Sequence, residues 1–136
     1  MGMRRTRHRS WLWLTAVVVA HLLVSFVHGG AHASAHVELS SAASLFVYIV
    51  ILAGPVAGLV LMWPAERLGS WLVGAAMAAS LVFGIVNHFI LSSPDHVAHV
   101  AAESRKLFAA TAALLAVLEA AGTGLAWRVA RERVPS

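Results

Sequence analysis

The sequence predicts an all-helical integral membrane protein, built as one bundle of four transmembrane helices with both termini in the cytoplasm. Hydrophobic residues make up 60% of the 136-residue chain and charged residues only 12%, whereas a soluble domain is about half apolar and a quarter charged. The apolar residues form four long stretches, each close to the roughly 20 residues that a spanning helix needs. Nearly all basic residues lie at one end of these stretches.

The four predicted helices belong to a single membrane domain that covers residues 1–136. They occupy approximately residues 11–28, 44–63, 71–91 and 107–127. The second and third stretches are joined by a short connection, which predicts that these two helices are antiparallel neighbours.

The tryptophans and the basic residues predict the orientation. All five tryptophans fall at the same predicted end of their helices, as in an aromatic belt at one interface. They are Trp11, Trp13, Trp63, Trp71 and Trp127. Eight of the ten Lys and Arg residues lie at this end, which the positive-inside rule places in the cytoplasm. They are Arg4, Arg5, Arg7, Arg9, Arg67, Arg128, Arg131 and Arg133, and only Arg105 and Lys106 lie opposite. This pattern is typical of a small protein of the bacterial plasma membrane.

A secretory signal peptide is the alternative interpretation of the first stretch. A basic start, an apolar run and the small-residue pattern at residues 31–33 also describe a cleavable signal, although residues 11–27 are longer than the usual signal core. Cleavage there would leave three spans and remove His21, His28 and His32.

Several classes of function are excluded or unsupported. The chain has no cysteine, which excludes disulfide scaffolds, Cys-ligated metal sites and thiol catalysis. Phosphate-binding loops, dinucleotide fingerprints, zinc-protease motifs and nucleophile elbows are missing from the sequence. The net charge of +4 fits topology and anionic lipid better than nucleic acid, because aromatic residues do not alternate with the basic ones. The expected partner is the lipid bilayer, with a membrane-protein partner or a second copy left open.

Six of the eight histidines lie at or beyond the predicted outer end of the bundle. They are His28, His32, His36, His88, His96 and His99. The first three recur every four residues, so their imidazoles share one face if the first helix continues past the membrane. Two imidazoles spaced in this way can bind one metal ion. The pair Gly29-Gly30 is the weak point of this stripe, because paired glycines can end a helix.

The third helix and the connection after it supply the other half of the predicted site. Pro94 can start a helical turn, in which Asp95 faces the same way as His99. A carboxylate beside a ligating imidazole commonly fixes the tautomer of that imidazole. The predicted auxiliary groups are Glu38, Asp95 and Asn87.

These observations predict that the outer face binds a transition-metal ion or a metal cofactor. Nitrogen and oxygen donors suit zinc, copper(II), nickel or non-haem iron. A b-type haem held by His28 and His88 at matching depth is an alternative. A proton-handling cluster, interfacial histidines without a ligand and an accessory subunit of a larger membrane complex are further alternatives. Whether the protein is an enzyme stays open.

One polar pair is predicted inside the membrane. His21 and Glu119 lie about 15 and 12 Å from the tryptophan-bearing end, at 1.5 Å per helical residue. Because an ionisable residue at this depth is usually paired, we expect a hydrogen bond between them if the first and fourth helices are neighbours. The pair would either specify helix packing or relay protons in a proton-coupled transporter. In the third helix, Ser80 and Gly84 are expected to form a close helix contact.

Overall fold

The described part of the chain consists of four long helices. The computed structural model describes residues 2–132, with side chains from residue 9 onward. Arg133 and the side chains of Arg4, Arg5, Arg7 and His8 lie outside this part. The helices are α1 (Gly2–Ser34), α2 (Ser41–Leu61), α3 (Glu66–Ile90) and α4 (Ala102–Arg131). All four are long and apolar enough to cross a membrane, and the described residues contain no strand. The predicted fold class is therefore confirmed.

Helix α4 packs against both α1 and α3, and α3 also packs against α2. The hydroxyl of Ser10 donates to Glu132 Oε1 over 2.8 Å, so the N-terminal part of α1 lies beside the end of α4. At this end the rings of Trp71 and Trp127 meet edge to face at 5.2 Å. We call it the tryptophan end and the opposite one the histidine end. The side of the membrane that each end faces stays a prediction.

Two glycines allow α2 and α3 to approach closely near the tryptophan end. A Cβ atom on Gly58 would lie 2.6 Å from Val73 Cγ2 and 2.8 Å from the Val73 backbone nitrogen. A Cβ atom on Gly69 would overlap the backbone nitrogen of Met62. The short turn between the helices therefore requires a residue without a side chain at both positions.

Helix α1 runs straight through Gly29-Gly30, because neither glycine leaves the helical region of backbone angles. It ends a turn later, in a Schellman motif. The Val37 amide donates to the His32 carbonyl over 3.0 Å, and the His36 amide donates to the Ala33 carbonyl over 3.2 Å. His36 itself has the left-handed φ of 53° that this motif requires at its position.

Two segments are wound as π-helix instead of α-helix. They are Val47–Ala53 in α2, just before Pro55, and Val86–Ile90 at the end of α3. Short π-helical turns recur at functional sites. The second segment carries His88, and part of the first lines the cavity described below.

Candidate metal centre

Three histidines meet inside the histidine end. His28 and His32 are one turn apart on α1, and His88 comes from the π-helical end of α3. Each offers one ring nitrogen, and these three atoms all lie within 4.8 Å of one another. His28 and His88 are only 7% and 6% exposed. We call these three residues the histidine cluster, and their placement is geometrically able to hold a metal ion.

The tautomer of His28 follows from its partner on α4. Nδ1 of His28 lies 2.8 Å from the hydroxyl oxygen of Thr111. That hydroxyl has one hydrogen, and it donates to the carbonyl of Leu107 at 2.8 Å, with the carbonyl of Phe108 at 3.0 Å. The Thr111 oxygen must then accept from His28 Nδ1, so a neutral His28 presents an unprotonated Nε2.

The tautomer of His88 follows in the same way. Its Nδ1 lies 3.1 Å from the backbone carbonyl oxygen of Asp95, which can only accept. A neutral His88 therefore also presents an unprotonated Nε2. The two Nε2 atoms of His28 and His88 face each other at 3.2 Å. Two lone pairs at this distance repel unless a proton or a metal cation lies between the rings.

The distance between the two nitrogens fits neighbouring ligands of one ion. Zinc binds imidazole nitrogen at about 2.0–2.1 Å, so adjacent corners of its tetrahedron are about 3.3–3.4 Å apart. The observed 3.2 Å is close to this value. Ligands on opposite sides of an ion would be about 4 Å apart at the same bond length.

The third histidine keeps a nitrogen for a ligand. Nδ1 of His32 is buried and has no hydrogen-bond partner among the described residues. Its Nε2 lies 3.4 Å from Asp95 Oδ1. Phe108 is fully buried, and its ring lies 4.8–5.3 Å from the three imidazoles, so it restricts their movement on the side of α4.

Asp95 supports the cluster from the connection between α3 and α4. Its Oδ1 lies 3.2 Å from His88 Nδ1, at ion-pair distance, while its backbone carbonyl accepts from the same nitrogen. Burial by itself would raise the pKa of the Asp95 carboxyl, but His88, together with His32 and His28, lowers this pKa below its ordinary value. The carboxyl is therefore an anion beside the His88 ring, and a carboxylate in this position would orient the ring if it bound a metal.

The other predicted rim histidines lie away from the cluster. His36 is exposed at the end of α1 because the Schellman motif turns the chain there. His96 and His99 lie 5.2 Å apart, ring to ring, on the outside of the connection. Among the auxiliary groups, Glu38 is exposed, and the Asn87 amide donates to the carbonyl of Phe83.

The helical turn expected after Pro94 does not form. Residues 93–99 instead make two successive turns, in which the His96 amide donates to the Ser93 carbonyl over 3.1 Å and the His99 amide to the His96 carbonyl over 2.8 Å. Asp95 consequently points into the protein while His99 is exposed. The expected alignment of these two residues is wrong because the connection docks onto α3, where the Val97 amide donates to the His88 carbonyl over 3.0 Å.

The intramembrane pair adopts the geometry expected from its depth. His21 Nε2 lies 3.2 Å from Glu119 Oε1, and both residues are buried at 0% and 3% exposure. The Ser25 hydroxyl donates to the His21 carbonyl over 2.8 Å. This pair joins α1 to α4 near the middle of the bundle.

Thr111 contacts His28, and the sequence analysis did not identify it as a site residue. A usable signal was present, because α1 and α4 are antiparallel and His21 pairs with Glu119. His28 lies seven residues after His21 on α1, and Thr111 lies eight residues before Glu119 on α4. Each lies on the same face of its helix as the residue from which it is counted. The pairing of His21 with Glu119 therefore predicts that His28 lies beside Thr111.

Because comparison with known proteins finds no match, the site is interpreted from this chain alone. The features that bear on function are the histidine cluster, its support by Thr111 and Asp95, and the buried pair below it. No protein-family model, no curated protein and no solved structure matches this sequence.

Proposed function

We propose that the protein binds one transition-metal ion through His28, His32 and His88. The observation that carries the proposal is the pair of Nε2 atoms that face each other at 3.2 Å. When both rings are neutral, the Nδ1 partners leave both Nε2 atoms unprotonated. A metal cation bound by both nitrogens would remove the repulsion between them, and their separation of 3.2 Å suits two neighbouring ligands of one ion. Asp95 acts as the supporting carboxylate of His88.

Three imidazole ligands suit zinc, copper(II) or non-haem iron. They leave a coordination position for an exogenous ligand, as in catalytic zinc sites. The 3.2 Å separation favours one ion bound by neighbouring ligands over a b-type haem, whose two axial nitrogens lie on opposite sides of the iron. The proposal therefore concerns a mononuclear centre, and the geometry supports three ligands out of the six rim histidines.

Metal analysis of the purified protein tests the proposal. The full chain, free of any histidine tag, would be purified in detergent and analysed for metals before and after reconstitution with zinc, copper(II) or iron(II). We expect one equivalent of metal per chain. A metal content at background after reconstitution would contradict the proposal.

Thr111 offers a test of the tautomer argument. Thr111→Val removes the acceptor of His28 Nδ1 with little change of shape, so we expect metal affinity to fall about 10–100-fold, the usual effect of losing such a support. Thr123→Val is the matched control on α4, because the Thr123 hydroxyl donates only to the Glu119 carbonyl. Competition titrations with a chelator measure both. Equal affinities for the two variants would show that Thr111 does not set the tautomer.

We also propose that both termini lie in the cytoplasm of a bacterial plasma membrane, that α1 is retained and that the histidine end faces outward. The support is the excess of basic residues at the tryptophan end.

Because the chain has no cysteine, single cysteine substitutions can report the orientation of the protein in the membrane. A membrane-impermeant maleimide added to intact cells should label Ala98→Cys at once and Leu68→Cys only after lysis. The reverse order would contradict the orientation, and labelled protein shortened by residues 1–33 would contradict the retention of α1.

A further inference from the structure

A cavity of about 580 Å³ extends from the histidine cluster into the bundle. Its volume falls within the range of small-molecule sites. The walls are mostly apolar side chains of α2, α3 and α4, among them Val47, Ile51, Leu52, Phe83 and Leu115. The buried polar residues of its lining are His28, His88, Asp95, Glu119 and Ser80, and His32 is half-buried. The cavity thus joins the proposed metal centre to the intramembrane carboxyl.

Gly84 leaves a gap between these two polar groups. A Cβ atom on Gly84 would lie 3.9 Å from Glu119 Oε2 and 4.0 Å from His88 Cδ2. An alanine side chain would therefore fit at this position, so the packing of α3 against α4 does not require glycine there. Ser80, one turn away, donates to the Ala76 carbonyl and also lines the cavity. The cavity touches Gly84, His88 and Glu119, so a head group inside it can reach the carboxyl of Glu119 beside Gly84.

The cavity is partly covered towards the histidine end of the bundle. The connection between α3 and α4 lies over the cluster, fixed by the hydrogen bond from the Val97 amide to the His88 carbonyl. Val100, at 2% exposure, packs with Ala31 and Phe108 behind it. The connection therefore covers the cluster on the side of α3 and α4.

The cavity is open instead between α1 and α2. Phe26 and Tyr48 both line it and are 68% and 67% exposed. The exposed residues Gly29 and Ala33 also line it and extend the opening along α1 towards the histidine end. Phe26 lies eight residues before the end of α1 and Tyr48 seven residues after the start of α2, so both are about 10–12 Å below the histidine end. Contact between α1 and α2 is sparse. This opening faces the hydrocarbon of the membrane.

We infer that the cavity binds a single-chain, membrane-soluble amphiphile with a hydroxyl head group, which enters sideways between α1 and α2. The chain lies along the apolar walls, and the head group lies in the gap beside Gly84. There its hydrogen is donated to Glu119 Oε2, and its oxygen faces the open position of the metal centre. Coordination of the head group rests on the proposed metal binding, whereas occupation of the cavity does not.

The polar groups of the cavity select this head group. None of the described residues that line the cavity is Arg or Lys, so only the bound metal ion would balance the charge of a phosphate head group, which would also be buried beside the Asp95 anion. A carboxylate head group would lie beside Glu119 and Asp95, where like charges repel. A neutral hydroxyl can donate to a carboxyl and offer a lone pair to a metal at once.

Photo-labelling tests whether the cavity is occupied. The full chain would be reconstituted in nanodiscs with a long-chain fatty alcohol that carries a diazirine in its tail, and labelled peptides would be mapped by mass spectrometry. We expect labelling on α2 around Val47, Tyr48 and Ile51, reduced by competition with unlabelled alcohol and less by the fatty acid of equal length. Labelling spread evenly over all lipid-facing helices would overturn the inference.

Two variants on one helix provide the matched control. Ala116 lines the cavity, whereas Ala113, three residues before it on α4, is exposed and does not. Ala116→Phe should abolish the specific labelling, and Ala113→Phe should leave it unchanged. Gly84→Leu would block the same cavity from α3 and replaces glycine by a better helix former. It is the alternative blocking variant if Ala116→Phe does not fold. Undiminished labelling in a folded blocking variant overturns the inference.

A separate experiment measures whether the head group coordinates the metal. In cobalt(II)-loaded protein, addition of the alcohol should shift the visible spectrum, and Glu119→Gln should weaken this shift while one equivalent of cobalt stays bound. An unchanged spectrum with specific labelling would overturn coordination only. Specific labelling of a protein that binds no metal would contradict the proposed metal function and leave the amphiphile site standing.

Discussion

Replacing His28 or His88 by alanine is expected to abolish stoichiometric metal binding. Each substitution removes one of the two facing Nε2 atoms, and the remaining ligands cannot enclose an ion. Loss of a supporting hydrogen bond typically lowers metal affinity about 10–100-fold. We expect loss of a ligand to lower it further. Isothermal titration in detergent and elemental analysis after dialysis against a weak chelator measure the effect.

His36→Ala and His99→Ala are the matched controls for this prediction. Both residues are exposed histidines of the same end, and neither belongs to the cluster. We expect each control variant to keep one equivalent of metal. If His36→Ala or His99→Ala lost the metal as completely as His28→Ala, the ion would be bound by the exposed rim, and the three-histidine centre would be the wrong assignment.

Gly69→Ala is expected to destabilise the fold by about 3 kcal/mol, at the upper end of the usual cost of overpacking. The added methyl group would overlap the backbone nitrogen of Met62 and lie 2.6 Å from the Gly58 carbonyl oxygen. Backbone atoms cannot move aside as a flexible side chain can, so α2 and α3 would have to separate. Thermal unfolding in detergent, followed by circular dichroism, gives the change in stability.

Gly124→Ala on α4 is the control for Gly69→Ala. A Cβ atom on Gly124 would meet nothing within 4 Å, so the helix propensity of alanine should stabilise this variant by up to about 1 kcal/mol. Two variants of equal stability would mean that the close approach at Gly69 does not determine how α2 and α3 pack.

The fold class and the intramembrane pair could be predicted because both depend on simple distances along a helix. Long apolar stretches specify membrane spans whatever their neighbours are. The depths of His21 and Glu119 follow from a constant rise per residue. Such arguments need no knowledge of side-chain packing, and for the same reason they could not reveal the cavity.

The composition of the site was only partly predictable because it depends on how the helices end. The spacing that places His28 and His32 on one face would have included His36, had the Schellman motif not turned the chain. The inward position of Asp95 depends on the docking of its connection against His88. The sequence predicts that Gly84 is a packing residue, and only the structure shows that it lines the cavity beside Glu119 and His88.

X-ray absorption spectroscopy at the edge of the bound metal tests the central claim most directly. For zinc-loaded protein, the account predicts three imidazole nitrogens at about 2.0–2.1 Å with one further light ligand, and His88→Ala should reduce the imidazole scattering. A spectrum dominated by carboxylate and water oxygens, unchanged in His88→Ala, would contradict the account and place the metal outside the histidine cluster.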